Sequence, residues 1–241
     1  MNEEESWQER GMHALRWLGL NEWSLLLALA VIVAGVWGFA ELADEVLEQE
    51  QDITQFDRHL LLSLREADDP SDPIGSHRVE VAVRDVTALG SGVILGFVTL
   101  VTVVFLLIRS DYRTAVILTA AVAGGGILSS LLKDAFERPR PDLVPLEMQV
   151  TTLSFPSGHA MASAATYLAL AALLAEEERS RMLSVFWVAV ALFLTVAIGF
   201  SRVYLGVHWP TDVLAGWAGG AAWALLVWGV ARWLRVRQRA G

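Results

Sequence analysis

Two short stretches place a histidine at the expected start of an apolar segment. "PSGH", residues 156–159, has the grammar of a helix start, with Ser157 suited to the N-cap and Gly158 and His159 to the first turn. A plain cap accounts for Ser157 and leaves His159 unexplained. A helix N-terminus presents free backbone N–H groups and a positive dipole end, both suited to an anion. Gly158, lacking a Cβ, lets a ligand approach that backbone closely. "HWPTD", residues 208–212, repeats the pattern: Pro210 fits the first helical position, Asp212 falls in the first turn, and His208 lies just before it. The carboxylate can reach back to one imidazole nitrogen, fixing the tautomer and leaving the other nitrogen as base or nucleophile. An aspartate there is also favoured by the helix dipole, by about 0.3–1 kcal/mol, so this pair alone is a weak signal.

Cations accompany these two starts. "KDAFERPRP", residues 133–141, holds the single lysine of the chain, Lys133, followed by Arg138 and Arg140, and "SRVYLGVHWPTD", residues 201–212, adds Arg202. Arginine forks match phosphate oxygens bidentately, and lysine adds a point charge. There is no cysteine, and neither HxxxH nor HExxH spacing occurs, which disfavours a zinc site and excludes a disulfide framework. The inventory suits metal-free chemistry on a phosphate, with no cofactor expected. His13, His59 and His77 lie in polar contexts without an evident partner and are expected at the surface.

The elements that must carry these residues are apolar helices. The chain is 54% hydrophobic over 241 residues, and six segments approach the length of a bilayer crossing, which takes about 17–25 residues as helix. They run roughly 24–40, 89–108, 113–132, 158–175, 183–200 and 211–234. The expected class is all-α: a polytopic membrane protein with six transmembrane helices over residues 24–234. Residues 1–23 form a lead without the basic start of a cleaved signal peptide. Trp7, Gly11, Ala14, Leu15 and Leu18 share one face there, which suits an interfacial helix, and a short solvated lead-in fits equally well. Residues 235–241 form a basic tail. Gly216 and Gly220, in "GWAGG", permit close helix contact, expected within the monomer.

The net charge of −9 resides in residues 41–88, where thirteen acidic residues face four arginines. Such a loop reads as a solvated face, and it argues against nucleic acid as a partner, which needs a basic footprint. Lysine and arginine in short loops set orientation. Arg10 and Arg16, Arg109 and Arg113, Arg179 and Arg181, and Arg232, Arg235, Arg237 and Arg239 all fall on one side of a six-span layout, which is then cytoplasmic along with both termini. The acidic loop and the segments 133–157 and 201–210 share the outer side. Lys133, Arg138, Arg140 and Arg202 are then cations on the side that usually avoids them, which favours a binding role over membrane anchoring.

These residues resemble the three-part signature of the type 2 phosphatidic-acid phosphatase superfamily over 133–217. "KDAFERPRP" is K-x6-R-P, "PSGH" is verbatim, and "SRVYLGVHWPTD" is S-R-x5-H-x3-D. The resemblance implies a multi-pass cell-membrane lipid phosphatase with its active site at the outer face. Its implied substrates are undecaprenyl diphosphate, phosphatidylglycerol phosphate, phosphatidic acid or similar lipids. It implies that His208 attacks phosphorus to give a phosphohistidine, that Asp212 orients it, and that His159 protonates the departing oxygen and then activates water. Lys133, Arg140, Ser157, the Gly158 N–H and Arg202 would hold the equatorial oxygens, and Pro139 and Pro141 would stop the helix and aim Arg140. Arg138 lies outside the signature, as an accessory contact. Two alternatives stay open: a lipid phosphotransferase using the same intermediate, and a vanadate haloperoxidase, against which the apolar spans count.

Overall fold

A computed structural model describes residues 22–48, 51–143 and 153–240. Among them are eight helices and no strand beyond an isolated bridge between Arg65 and Pro73. The helices are α1 (Glu22–Glu48), α2 (Gln51–Leu62), α3 (His77–Ala88), α4 (Gly92–Ile108), α5 (Tyr112–Phe136), α6 (Gly158–Glu177), α7 (Arg181–Tyr204) and α8 (Pro210–Ala240). The all-α expectation holds. The N-terminal lead lies outside the described residues.

Among the described residues, four helices are long and apolar enough to cross a membrane: Tyr112–Phe136, Gly158–Glu177, Arg181–Tyr204 and the Pro210–Leu234 part of α8. A fifth span arises if α3 and α4, bent by 45° across their break, are taken together. The segment expected to start at residue 89 therefore has a helical continuation on its N-terminal side. Ser91 caps α4 by accepting from the Ile94 N–H, and Asp111 caps α5 by accepting from Thr114. α5 ends where Glu137 adopts the left-handed conformation, φ 48°, two residues ahead of Pro139.

α6 is the central helix, packed against α5, α7 and α8, and α8 in turn packs on α1. Its buried face is made of small residues, including Ala160, Ser163, Ala164, Ala165 and Thr166. Small residues let helix backbones close on each other where lipid offers no hydrophobic drive to association. Gly216 and Gly220 complete that contact from α8. A Cβ on Gly216 would come within 2.8 Å of the Ser157 carbonyl oxygen, and one on Gly220 within 2.4 Å of the Met161 carbonyl oxygen. The intramolecular role expected for these glycines is what the fold uses. Outward, α4 shows Val93, Phe97, Leu100 and Ile108 to the surroundings, the apolar exterior of a membrane helix.

Alternating helix direction brings the end of α5, the start of α6, the end of α7 and the start of α8 to one end of the bundle. Phe39, Phe136 and Phe155 lock that end, with ring centroids 4.9–6.2 Å apart.

Residues 41–88 depart from the expected solvated loop. Glu66, Asp68, Asp69, Asp72 and Asp85 are exposed, but Asp57 and Arg65 are buried against the bundle end. Arg65 Nη2 donates to the carbonyls of Tyr204 (2.9 Å) and Val203 (3.3 Å), the open C-terminus of α7, where a cation also meets the negative dipole end. Charge counting placed the segment in water because it averages over residues. Two of them have partners that only the fold supplies.

The α6–α8 contact is testable. Gly220→Ala should destabilise the detergent-solubilised protein by about 1–3 kcal/mol, as overpacking against backbone does. Gly38→Ala, whose Cβ would meet nothing within 4 Å, is the control and should leave the unfolding midpoint in place. Equal midpoints for the two variants would contradict close packing.

Candidate active site

His208 sits in the turn between α7 and α8 and is 1% exposed. α8 begins at Pro210, so Asp212 occupies its first turn, fully buried. Asp212 Oδ2 accepts from the Trp209 N–H at 2.9 Å, half of a capping box at the helix start. The same oxygen lies 3.2 Å from His208 Nδ1 and accepts from the Ser154 hydroxyl. Oδ1 accepts from Arg138 Nη1 at 2.7 Å. On the opposite edge of the ring, Arg140 Nη1 lies 3.0 Å from His208 Nε2. A guanidinium has only donors, so Nε2 is the acceptor and the ring proton resides on Nδ1, donated toward Asp212. Burial pushes the His208 pKa down to about 4, against the pull of Asp212 and with Arg140 and Arg202 reinforcing the fall. The imidazole is thus neutral at pH 7, with a lone pair on the nitrogen that faces the cations.

The other singled-out residues come from the neighbouring helix ends, and Arg140, Arg202 and His159 lie within electrostatic reach of the ring. Lys133, in the last turn of α5, donates from Nζ to the Leu153 carbonyl at 2.6 Å. Arg140 Nη1 also donates to the Val207 carbonyl at 2.6 Å. Arg202, 7% exposed on α7, donates to Thr87 Oγ1 at 3.1 Å, while its buried Nε has no partner among the described residues. Ser157 caps α6 as expected, accepting from the Ala160 N–H, with Gly158 and His159 as the first two helical residues. Nothing in the packing demands glycine at 158, where a Cβ would meet only ordinary contacts at 3.6 Å. His159 is half-buried and within electrostatic reach of Arg202, His208, Arg140 and Lys133. Backbone bonds tie the pieces together: Ser157 N–H donates to the Asp212 carbonyl at 2.9 Å, and Ser154 N–H to the Arg138 carbonyl at 2.8 Å. Three stretches far apart in sequence make one cationic pocket around one neutral imidazole.

A model of the PAP2 superfamily matches residues 114–235, a range that contains all three of these stretches. The chain belongs to the PAP2 superfamily. A phosphatidylglycerophosphatase B from Bacillus subtilis is 39% identical over 108 residues, 43% of this chain and 51% of that protein. A lipid A 1-phosphatase from Rhizobium johnstonii is 38% identical over 114 residues, 44% of this chain and 43% of that protein. The chain spans about half the length of these curated relatives. The crystal structure of a transmembrane PAP2-type phosphatidylglycerolphosphate phosphatase from Bacillus subtilis superposes with a TM-score of 0.74 at 26% identity, over 83% of this chain and 94% of that one.

Within this PAP2 site, four residues escaped sequence reasoning in their actual roles. Arg138, read as an accessory phosphate contact, instead spends its fork on Asp212, Thr211 and Asp57. Ser154 stands two residues ahead of "PSGH", and a serine three residues before an N-cap carries no signal of its own. Thr211 sits inside "HWPTD", where its side chain is unconstrained by the helix-start grammar. Asp57 lies outside the family match altogether, and a single aspartate among thirteen acidic residues has no pattern to mark it.

The tautomer can be observed directly. Ring ¹⁵N resonances of His208 should show a neutral, Nδ1-protonated imidazole at pH 7 that takes up its second proton only as pH falls to about 4. An Nε2-protonated ring, or titration near the ordinary 6.5, would contradict the hydrogen-bond assignment.

Proposed function

We propose that this chain is a metal-independent lipid phosphate or diphosphate phosphatase that works through a phosphohistidine on His208. The observation that carries the reading is the placement of the buried His208 ring, with Nδ1 3.2 Å from Asp212 Oδ2, Nε2 3.0 Å from Arg140 Nη1, and Arg202 within electrostatic reach. In the proposed reaction Nε2 attacks phosphorus in line and the P–O bond to the lipid breaks. His159 gives its proton to the departing oxygen. The ring, now cationic, is stabilised by Asp212. His159 then takes a proton from water, whose oxygen attacks phosphorus and breaks the P–N bond, releasing phosphate. Lys133, Arg140, Arg202, Ser157 and the Gly158 N–H stabilise the charge on the equatorial oxygens, the largest demand of phosphoryl transfer. These positive groups take the part that divalent cations play elsewhere.

The relatives' names support lipid phosphates as the substrate class, among them an undecaprenyl-diphosphatase of Sulfolobus acidocaldarius, 29% identical over 127 residues. Phosphatidylglycerol phosphate, undecaprenyl diphosphate and phosphatidic acid are the candidates. An apolar cleft of about 270 Å³ fits the same class: Val36, Phe39, Leu132, Met161 and Trp223 line it, and Leu132 adjoins Lys133. The proposed setting is six spans in the cell membrane, with both termini cytoplasmic and the site at the outer face. Arginine placement supports this orientation.

Purified protein should release phosphate from a panel of lipid mono- and diphosphates, unchanged by chelator and inhibited by vanadate. Loss of activity to chelator with recovery in magnesium would sink the metal-independent mechanism. His208→Ala should be inactive. His159→Ala should lose about 10²–10⁴-fold on lipid substrates and less on an aryl phosphate, whose leaving group hardly needs a proton. Acid-labile, base-stable label should accumulate in His159→Ala and be missing from His208→Ala; label persisting in the latter would mean another nucleophile.

Orientation has its own measurement. Reporters fused at the C-terminus and within 133–157 should report opposite sides, the first cytoplasmic. A cytoplasmic signal from the 133–157 fusion would overturn the outer-face assignment.

A further inference from the structure

Beside the pocket residues lies a second polar cluster, whose Asp57 and Arg138 also border a cavity of about 780 Å³. Asp57, on α2, is 1% exposed, with both carboxylate oxygens engaged. Oδ1 accepts from the Thr211 N–H at 2.9 Å, and Oδ2 accepts from Thr211 Oγ1 at 2.6 Å and from Arg138 Nη2 at 2.7 Å. Arg138 Nη1 in turn donates to Thr211 Oγ1 at 2.8 Å and to Asp212 Oδ1 at 2.7 Å. Its guanidinium carbon lies 5.7 Å from the centre of the Trp209 ring. The fork of Arg138 therefore joins two buried carboxylates, and both of its terminal nitrogens are committed away from the pocket.

We propose that Asp57 is a positioning residue for His208, acting on Asp212 through Arg138 and on the start of α8 through Thr211. The inference rests on the phosphohistidine reading above. It assigns a function to a segment outside the family match and replaces the phosphate-contact role expected for Arg138.

The physical argument has two parts. Geometrically, Asp57 accepts the Thr211 N–H, one of the orphan donors of the helix start, so it fixes the turn that carries His208 and Asp212. Electrostatically, Arg138 alone would neutralise Asp212 just as His208 becomes cationic on bonding phosphorus. Asp57 offsets that arginine, so the cluster keeps a net negative charge facing the ring. Buried networks of this kind act as a unit, and removing one member leaves the others uncompensated. No step of the reaction passes through Asp57.

The test follows from the opposite signs of the two charges. The charged groups facing His208 are Asp212 on α8, Arg140 on the loop after α5 and Arg202 on α7. The charged group facing Asp57 is Arg138, with Thr211 as a neutral hydrogen-bond donor, and burial lifts the Asp57 carboxyl above the usual range while both pull it back. Asp57→Asn removes that titration along with a negative charge, so His208 loses protons more readily and the acid limb of kcat/KM should move to lower pH. Arg138→Gln removes a positive charge from the same cluster, so the limb should move to higher pH. In Asp57→Asn, kcat should fall about 10–100-fold, as loss of an orienting partner does. KM should stay within about threefold, because Asp57 touches no substrate.

The measurement is lipid-phosphate hydrolysis by purified wild type and variants, with the unfolding midpoint followed in parallel. Shifts of opposite sign with KM held support the role. Unshifted limbs in active variants, or a loss confined to KM, would overturn it and leave the phosphatase reading intact. A wild type inactive on every lipid phosphate would overturn that reading and this inference with it. Should Asp57→Asn fail to fold, Asp57→Glu keeps the charge and displaces it by one methylene. A fall in kcat at constant KM then supports the role, and wild-type kcat overturns it.

Discussion

The buried carboxylate of Asp212 is the constraint from which the rest of this structure follows. A fully buried anion is costly unless paired and hydrogen-bonded, and here it accepts from Trp209 N–H, Ser154, Arg138 and His208. The donors come from three places: Trp209 and His208 from the turn between α7 and α8, Ser154 from the loop before α6, and Arg138 from the loop after α5. Satisfying one side chain therefore fixes the relative positions of every segment that contributes to the pocket. The same set of bonds decides which imidazole nitrogen is protonated. Stability of the bundle end and reactivity of His208 rest on one set of atoms.

That arrangement needs helix ends held to fractions of an ångström, which small residues provide. Gly216 and Gly220 bring α8 against α6 so closely that the Ser157 N–H reaches the Asp212 carbonyl. Larger residues would separate the helices and break that bond, with no change in any residue of the pocket. Arg65 and Asp57 act on the ends of α7 and α8, the helices that flank His208. Arg65 caps the carbonyls at the end of α7, and Asp57 caps an N–H at the start of α8. The third motif is thus gripped at both ends by a segment with no motif of its own.

What sequence could show depended on whether the cause was local. Ser157 as a cap, Pro210 at the first helical position and Asp212 reaching back to His208 are all properties of a few neighbouring residues, and each occurs as expected. The helical class was legible for the same reason, since apolar run length is local. The partners of Arg138 lie 73, 74 and 81 residues away, so no spacing rule finds them. Arg138 and Arg140 look alike in "ERPRP", and only the fold shows that one meets the lone pair of His208 while the other grips the carboxylate behind it. The acidic segment misled for a related reason. Its composition is that of a solvated surface, and its exposed residues are just that, but composition cannot distinguish Asp57 from its twelve acidic neighbours.

The pocket also explains why cations sit where orientation rules would not place them. Lys133, Arg140 and Arg202 lie close together, and the acceptors they meet include backbone carbonyls, Thr87 and a neutral imidazole. Carbonyl dipoles hold such groups in place but carry no net charge, and the pull of Asp212 on Lys133 and Arg140 offsets only part of the repulsion among the three cations. The neighbouring carboxylate that could cancel it, Asp212, is already bound to Arg138. In the proposed reaction an incoming phosphate would supply the missing negative charge and an acceptor for the buried Arg202 Nε. Asp57 is what keeps these two charge balances separate. By holding Arg138 behind Asp212, it leaves the front cations for the anion and the carboxylate for the histidine.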